Sequence, residues 1–397
     1  MGALQAGLSA SPSSRLSGLP FLEPVGCKSD VETRNRPHQA NAHPISRLGS
    51  LPESLSPLVE GMSFVDRLSS ELPRPIAGGP IALDLFAGCG GLALGFESAG
   101  FKTLGFEMNE SAAATYTKNL HGDCIVDRLH PDYRFPAADI VIGGPPCQPF
   151  SVGGRQAGHR DDRDGFPAFI AAIEQLDPSH FVIENVRGML YRNRPYLDEV
   201  VDHTKSLGYD VTFELLNAKS YGVPQNRERV IIVGSRRPFA FPRPEKALVT
   251  AGEAIGDLAE TTPPESKFLT PGQDTYIAKY ERASNCRNPR DLSLDRPART
   301  LTCRNLAGAT GDMQRVRLPD GRRRRLLVRE AARLQSFPDW FEFVGSESSI
   351  FEQIGNAVAP LFAKRIAEQI QRSFQGLTTL EESLPDQARM FDPEALT

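Results

Sequence analysis

The stretch Ile81–Phe86 constrains the fold more than any other part of the chain. It is an almost continuous apolar run with Asp84 set inside it, which is how a parallel strand buried on both faces reads. A glycine-rich turn follows at once, and then a helical pattern to Ala99. Strand, tight turn and helix in that order open an α/β unit with a parallel crossover. The alternation continues. A strand is expected at Thr103–Glu107, a helix opened by Asn109 as N-cap, and strands at Cys124–Val126 and Ala138–Ile142. Further on, helices are expected at Phe166–Leu176 and Tyr196–Leu207, with strands at Phe181–Glu184, Val211–Leu216 and Val230–Val233. The predicted fold class is therefore α/β, a doubly wound, mostly parallel, Rossmann-like sheet.

The pattern breaks after Gly234. Residues 235–325 are rich in Pro, Arg and short extended pieces and suggest a small irregular second region. A helix at Arg329–Gln335 and one long helix at Glu352–Phe374 return to the first style and are expected to dock back on the sheet domain. The first 60 residues carry 10 Ser and 7 Pro without apolar periodicity, as an extension with no core of its own would. A short amphipathic helix is expected within 57–71, stopped by Pro73 and Pro75. The division expected is an N-terminal extension over 1–75, a sheet domain over 76–234 and 326–378, the irregular region over 235–325, and a tail over 379–397.

Composition narrows the function classes. The 45 Lys and Arg against 49 Asp and Glu give a net charge of −4, which excludes a wholly basic polymer coater but not a local basic cleft. No apolar run reaches the roughly 18–20 residues of a membrane-spanning helix, so no membrane partner is expected. Six cysteines with no CxxC pair point away from a zinc ribbon or a disulfide scaffold. No metal is expected, and the thiols read as reduced, in keeping with a cytoplasmic setting.

Two segments carry chemistry. In the strand-turn-helix at 81–98, Gly88, Gly90 and Ala93 satisfy GxGxx[GA], so backbone can approach a ligand at a helix N-terminus. Alone, this loop admits nicotinamide, flavin and adenosyl cofactors, and hence a dehydrogenase. Glu107, ending the second strand, suits ribose hydroxyls, and Asp123 suits an adenine amino group. Carboxylates without a pyrophosphate site lean toward S-adenosylmethionine. The second segment, Ile140–Ser151, runs a strand into Gly143, Gly144, Pro145, Pro146 and Cys147, with Pro149 beyond. Prolines on both sides hold the backbone around Cys147, at the carboxyl end of a strand where open α/β sheets place their sites. Cys147 is read as a nucleophile.

These segments resemble the DNA (cytosine-5) methyltransferase family, over about residues 81–375. Asp84–Leu92 resembles its cofactor loop and Gly144–Ser151 its nucleophile motif. Glu184-Asn-Val186 resembles its acid motif, and Gln225–Val230 its arginine motif. Arg296–Thr300 and Gln353–Pro360 complete the set in the family order. The resemblance implies methyl transfer from S-adenosylmethionine to carbon 5 of a cytosine flipped out of duplex DNA. Cys147 would attack carbon 6. Glu184 would bond N3 and the exocyclic amine, and Arg229, with Arg227 nearby, would hold O2. Asp84, Phe86, Gly88, Gly90, Gly91, Leu92, Glu107, Met108, Asp123, Cys124, Pro145, Asn356 and Val358 are the implied cofactor contacts, with Asn356 in a turn opening a helix. Residues 150–165 suit a closing loop. Ser151, Arg155 and Arg163 are its implied DNA contacts, with Arg304 in the recognition region at 235–325, and the run Arg322–Arg325 is a further candidate for the DNA backbone. The expected partners are a short duplex site and, in a restriction system, an endonuclease reading the same sequence. The expected state is a monomer. A tRNA cytosine-5 methyltransferase of the same architecture would share the catalytic residues, and a catalytically dead regulator would not need them.

Overall fold

The computed structural model describes residues 61–76, 78–146, 164–283, 285, 290–307, 312–379 and 382. They belong to one unit, Leu58–Thr397. It opens with α1 (Phe64–Glu71), β1 (Ile81–Leu85), α2 (Gly91–Ser98), β2 (Lys102–Glu107), α3 (Glu110–Asn119), β3 (Cys124–Val126) and β4 (Ile140–Gly143). There follow α4 (Phe166–Leu176), β5 (His180–Val186), α5 (Arg194–Ser206), β6 (Asp210–Asn217), β7 (Gln225–Asn226) and β8 (Glu228–Ser235). Next are α6 (Ala251–Ala259), α7 (Pro271–Ala283), β9 (Ala298–Arg299), α8 (Cys303–Ala307), β10 (Arg315–Arg317) and β11 (Arg323–Arg325). The chain closes with α9 (Val328–Leu334), α10 (Glu347–Asn356) and α11 (Pro360–Phe374).

The main sheet has seven strands in the order β3-β2-β1-β4-β5-β8-β6. The first five pair in parallel, and β8 runs antiparallel to both β5 and β6. Strand order reverses between β1 and β4, the switch point where open α/β sheets bind ligands at their carboxyl ends. Both the Asp84–Leu92 loop and the Gly143–Pro146 segment leave the sheet there. Each face is covered. Ala82, Ile140, Ile142, Val182, Ile231 and Val233 pack under α2, α9 and α11, while Leu83, Val141, Phe181, Ile183 and Ile232 pack under α4 and α5.

Three sequence expectations change. The predicted long helix over Glu352–Phe374 is two helices, because Pro360 has no N–H to continue the ladder and pushes the residue before it out of the α region. Asn356 consequently ends α10 rather than opening a helix. The region 235–325 contains three α-helices among the described residues, α6, α7 and the short α8, and is tied to the sheet domain. Its β9 pairs with β7, and Ala251, Ala254 and Ile255 of α6 join the main core.

The third change lies at the amino end. The expected short helix exists as α1, capped by Ser63, whose hydroxyl accepts from the Asp66 amide at 3.1 Å. It does not belong to a loose extension. Phe64, Leu68 and Leu72 are buried in the main core. Arg67 bonds Glu71 and Glu245, and Arg365 of α11 reaches the same two carboxylates at 2.5 and 3.1 Å. Trp340 donates its indole N–H to the Leu72 carbonyl at 2.9 Å. Among the described residues, the main core takes in the chain from Phe64 onward. Residues 1–60 lie outside the described residues, as does most of the expected tail over 379–397.

Candidate active site

The acid and the arginine come together through strand register. In the antiparallel pair β5·β8, Val186 stands opposite Arg229. Glu184, two residues back, projects from the same face and meets Arg229 diagonally. Arg229 Nε lies 2.6 Å from Glu184 Oε1, and each side chain is only 12% exposed. Arg229 also donates Nη1–H to the Glu228 carbonyl at 2.7 Å. Two fixed acceptors hold the guanidinium in one orientation, which a flexible ammonium would not keep.

The glycine-proline segment faces that pair. Gly143 of β4 is in register with Ile183 of β5, so Gly144 arrives beside Glu184. A Cβ on Gly144 would stand 3.1 Å from Glu184 Oε2. Glycine keeps that carboxylate oxygen open. Asn185, 6% exposed, donates Nδ2–H to the Pro145 carbonyl at 3.0 Å and accepts from the Val186 amide at 2.9 Å. It clamps the proline segment to β5, a role the sequence motif did not disclose. The Gly165 amide donates to the Pro146 carbonyl at 3.0 Å. The two ends of the segment bearing Cys147 are therefore held together. Cys147 itself, Ser151, Arg155 and Arg163 lie outside the described residues, with the rest of the expected closing loop up to residue 163.

Two of the other cysteines are poor nucleophiles. Burial pushes the Cys89 and Cys124 thiols up to about 12, with Glu107 and Asp84 adding to the effect. Both stay protonated at neutral pH, and the thiolate is the reactive form.

A pocket of about 280 Å³ opens next to Arg229, lined by Val186, Arg187, Gly188, Asn226, Glu228, Arg229 and Thr300. Asn226 and Thr300 come together because β9 pairs with β7, and Thr300 donates its hydroxyl to the Asn226 carbonyl at 2.7 Å. Both lie inside motifs legible in the sequence, but their side-by-side placement is tertiary. Arg227 is elsewhere. It is 2% exposed, and its guanidinium donates to the carbonyls of Leu301, Gly355 and Ala357 at 2.8–3.1 Å. Burial, with Arg229 nearby, lowers its pKa to about 9. The structure gives Arg227 to joining the motif segments rather than to the pocket.

The turn after β1 is shaped for close approach. Phe86 has φ 60°, in the left-handed region that costs a non-glycine residue about 1–3 kcal/mol. Gly90, with φ 88°, opens α2, and Leu92 is buried in its first turn. A Cβ on Gly91 would fall 2.2 Å from the Val358 carbonyl, so only glycine lets α2 meet the segment after α10. The Glu107 carboxylate accepts the Gly88 amide at 2.9 Å and the Asn109 amide at 2.8 Å. An ionised carboxylate has about four acceptor positions, so two remain. Met108 is 68% exposed, with Ile125 and Val126 also exposed at the end of the neighbouring strand. Asp123 is exposed at the start of β3, and Cys124 is half-buried. Asn356 is exposed and Val358 nearly buried.

Asp84 is the most unusual group here. It is 1% exposed, and neither carboxylate oxygen has a hydrogen-bond partner among the described residues. Burial, then Glu107 and Glu97, holds its carboxyl well above the usual carboxylate range. An orphaned buried acid at the switch point fits a cationic, donor-bearing ligand, as the ammonium and sulfonium of S-adenosylmethionine provide.

The expected DNA-contacting arginines divide. Arg304 is exposed, with Nε 3.8 Å from Asp312. Two arginines of the run Arg322–Arg325 are spent inside the protein. The last three residues of the run form β11, paired in a hairpin with β10 that turns at Pro319-Asp320-Gly321. Arg323 pairs with Asp274 and Asp291. Arg324 is fully buried and bonds both oxygens of Glu330, at 2.7 and 2.8 Å. Arg322 alone of these three is well exposed, beside Asp320. Internal carboxylates, invisible as partners in the sequence, claim the other two.

Comparison with known proteins places the chain in a family. The family profile for C-5 cytosine-specific DNA methylase matches residues 82–372. The Type II methyltransferase M.AplI of Arthrospira platensis is 56% identical over 305 residues, covering 74% of this chain and 86% of its own. M.MthTI of Methanothermobacter thermautotrophicus is 34% identical, covering 74% and 97%. Among solved structures, a Spodoptera frugiperda DNMT2 mutant superposes with a TM-score of 0.58 at 18% identity, covering 75% of this chain and all of its own. Entamoeba histolytica EhMeth gives 0.58 at 16%, covering 76% and 100%. These two show the shared fold. The DNA family does not favour the tRNA alternative. With the acid and the arginine meeting beside the glycine-proline segment that leaves the sheet at the switch point, and a family match over residues 82–372, the chain belongs to the C-5 cytosine-specific DNA methylase family and is a DNA cytosine methyltransferase.

Proposed function

We propose that this enzyme methylates carbon 5 of cytosine within a short duplex sequence as the modification partner of a Type II restriction system. The observation that carries the reading is the Glu184–Arg229 pair set against Gly144, three residues before Cys147. The relatives named as Type II methyltransferases support the restriction context. A cognate endonuclease would then read the same sequence, and the enzyme acts on cytoplasmic DNA as a monomer.

Cys147 adds its sulfur to carbon 6 of the flipped cytosine, and carbon 5 gains electron density. Negative charge flows to N3 and O2. Glu184, through Oε2 on its open side, holds the N3 and amine edge, and Arg229 balances charge at O2. Once carbon 5 carries the methyl group, loss of its proton to a base lets the Cys147 thiolate leave from carbon 6. Asn185 keeps the proline segment, and with it the nucleophile, at a set distance from Glu184.

S-adenosylmethionine, when bound, supplies the methyl group as a sulfonium-activated carbon. Asp84 would meet its cationic end, Glu107 its ribose hydroxyls, and Met108 with Phe86 its flat apolar surface. Leu92, Cys124, Pro145 and Val358 would close the pocket around it, with Gly88, Gly90 and Gly91 leaving room, and Asp123 and Asn356 would offer polar contacts. Residues 235–325, with Arg304, would face the DNA, and Ser151, Arg155 and Arg163 would contact it from the loop after Cys147.

The test is methyl transfer from labelled S-adenosylmethionine to unmethylated genomic DNA, followed by bisulfite sequencing. Methylated cytosines sharing one short sequence are expected. Transfer to tRNA with none to DNA would overturn the proposal.

A further inference from the structure

Asn217 decides which way a second carboxamide faces. Its Oδ1 accepts the backbone amides of Arg227 and Lys219, at 3.1 and 3.3 Å. A backbone N–H can only donate, so the oxygen of Asn217 is fixed on that side and its Nδ2 on the other. That Nδ2 meets the side chain of Asn226 at 2.6 Å, and the atom it meets must be the acceptor, Oδ1. The polarity of the Asn226 side chain is thus dictated by the backbone through Asn217. The Asn226 Nδ2 keeps two N–H donors, and none of the described residues accepts either.

Those donors are held in place at an open edge. Gln225 and Arg227, on either side, are 0% and 2% exposed, so Asn226 projects from the opposite face of the segment and is exposed. Its carbonyl accepts the Thr300 hydroxyl, which pins the backbone as Asn217 pins the side chain. A pinned carboxamide has little rotamer freedom left to lose on binding. Asn226 also lines the pocket it shares with Arg229 and Thr300. A base held between Glu184 and Arg229 leaves its own phosphodiester at the rim. A neutral double donor suits a phosphate oxygen, which only accepts.

We propose that Asn226 donates its side-chain N–H to a phosphate flanking the target cytosine, with Asn217 as the residue that positions it. This rests on the reading of the chain as an enzyme that methylates a short duplex site. The contact carries no sequence information and fixes the strand beside the catalytic pocket.

The experiment uses a duplex carrying the sequence that the wild-type enzyme methylates in genomic DNA. Two further copies carry a methylphosphonate in place of one or the other phosphate flanking the target cytosine. Asn226→Ala should weaken binding to the unmodified duplex about tenfold, as loss of a hydrogen bond to a charged acceptor does. A carboxamide is neutral and releases no counterion, so the slope of log K against log salt should not change. On one methylphosphonate duplex the penalty should shrink to about twofold or less, because the partner is already altered. A reduced slope, or equal penalties on all three duplexes, in a variant that melts like wild type overturns the proposal and leaves the methyltransferase reading intact. Absence of wild-type transfer to DNA overturns both. If Asn226→Ala does not fold, Asn226→Asp decides. It keeps an acceptor for Asn217 and turns an anionic oxygen toward the strand. Its penalty should be clearly smaller on one methylphosphonate duplex than on the unmodified one, and equal penalties overturn the proposal.

Discussion

Glu184 Oε1 and Arg229 Nε stand 2.6 Å apart on neighbouring antiparallel strands, two residues off direct register and facing the same side of the sheet. The pairing makes each residue the orienter of the other, so their contributions to catalysis are not independent.

Glu184→Gln should lower kcat by about 10²–10⁴, the usual range for a positioned acid or base. Arg229→Ala should lower it comparably, and the double variant by much less than the product. Single-turnover methyl transfer on one duplex measures all three. Additive losses would show that the two side chains act separately.

Cys147→Ser should abolish methyl transfer and leave cofactor affinity, measured by calorimetry, within a few-fold of wild type. Cys89→Ala and Cys124→Ala should retain turnover, because burial keeps both thiols protonated at neutral pH. Loss of chemistry in either, with normal folding, would argue against Cys147 as the nucleophile.

Asp84 predicts a pH dependence of cofactor binding. Its folded carboxyl titrates well above the ordinary range, and a cationic ligand favours the ionised form. Affinity should therefore rise with pH through that raised pKa, as binding expels a proton. Asp84→Asn should bind more weakly and lose the dependence. Calorimetry in buffers of different ionisation enthalpy reads the proton release, and none in wild type would refute the link.

His180 predicts a loss of stability in mild acid. It is fully buried between the hydroxyls of Ser179 and Ser373, at 3.0 and 2.7 Å. Burial, with Arg237 adding, lowers its pKa from 6.5 to about 4. Between those values the unfolded chain binds the proton and the native chain does not. Stability is whole above about pH 6.5 and falls by up to ~3 kcal/mol as pH drops through 4. His180→Gln should flatten that part of a urea-denaturation profile taken against pH. An unaltered profile would assign the acid sensitivity to other groups.

Truncation separates the two parts of the amino end. Removing residues 1–60 should leave activity intact. Removing residues 1–75 also takes away Phe64, Leu68 and Leu72, each worth roughly 1.5–3 kcal/mol when fully buried, and uncovers Glu245 and Arg365. The longer truncation should melt several degrees lower or fail to fold, and equal melting of the two would refute the role given to α1.

The sequence by itself determined the alternation of strands and helices and the turns that begin at Phe86 and Gly143. These are local matters of apolar period, glycine and proline. It also named the acid, the arginine and the nucleophile by motif. It could not say that Glu184 meets Arg229, because register between β5 and β8 is set by which apolar faces the core accepts. Nor could it separate Arg227 from Arg229. Two residues apart in one motif, they differ because three carbonyls from distant parts of the chain surround the first. The arginine run at 322–325 looked like a DNA surface until Glu330 and Asp291 closed on it. A charge becomes structural or functional according to what the fold places opposite it, and only tertiary packing decides that.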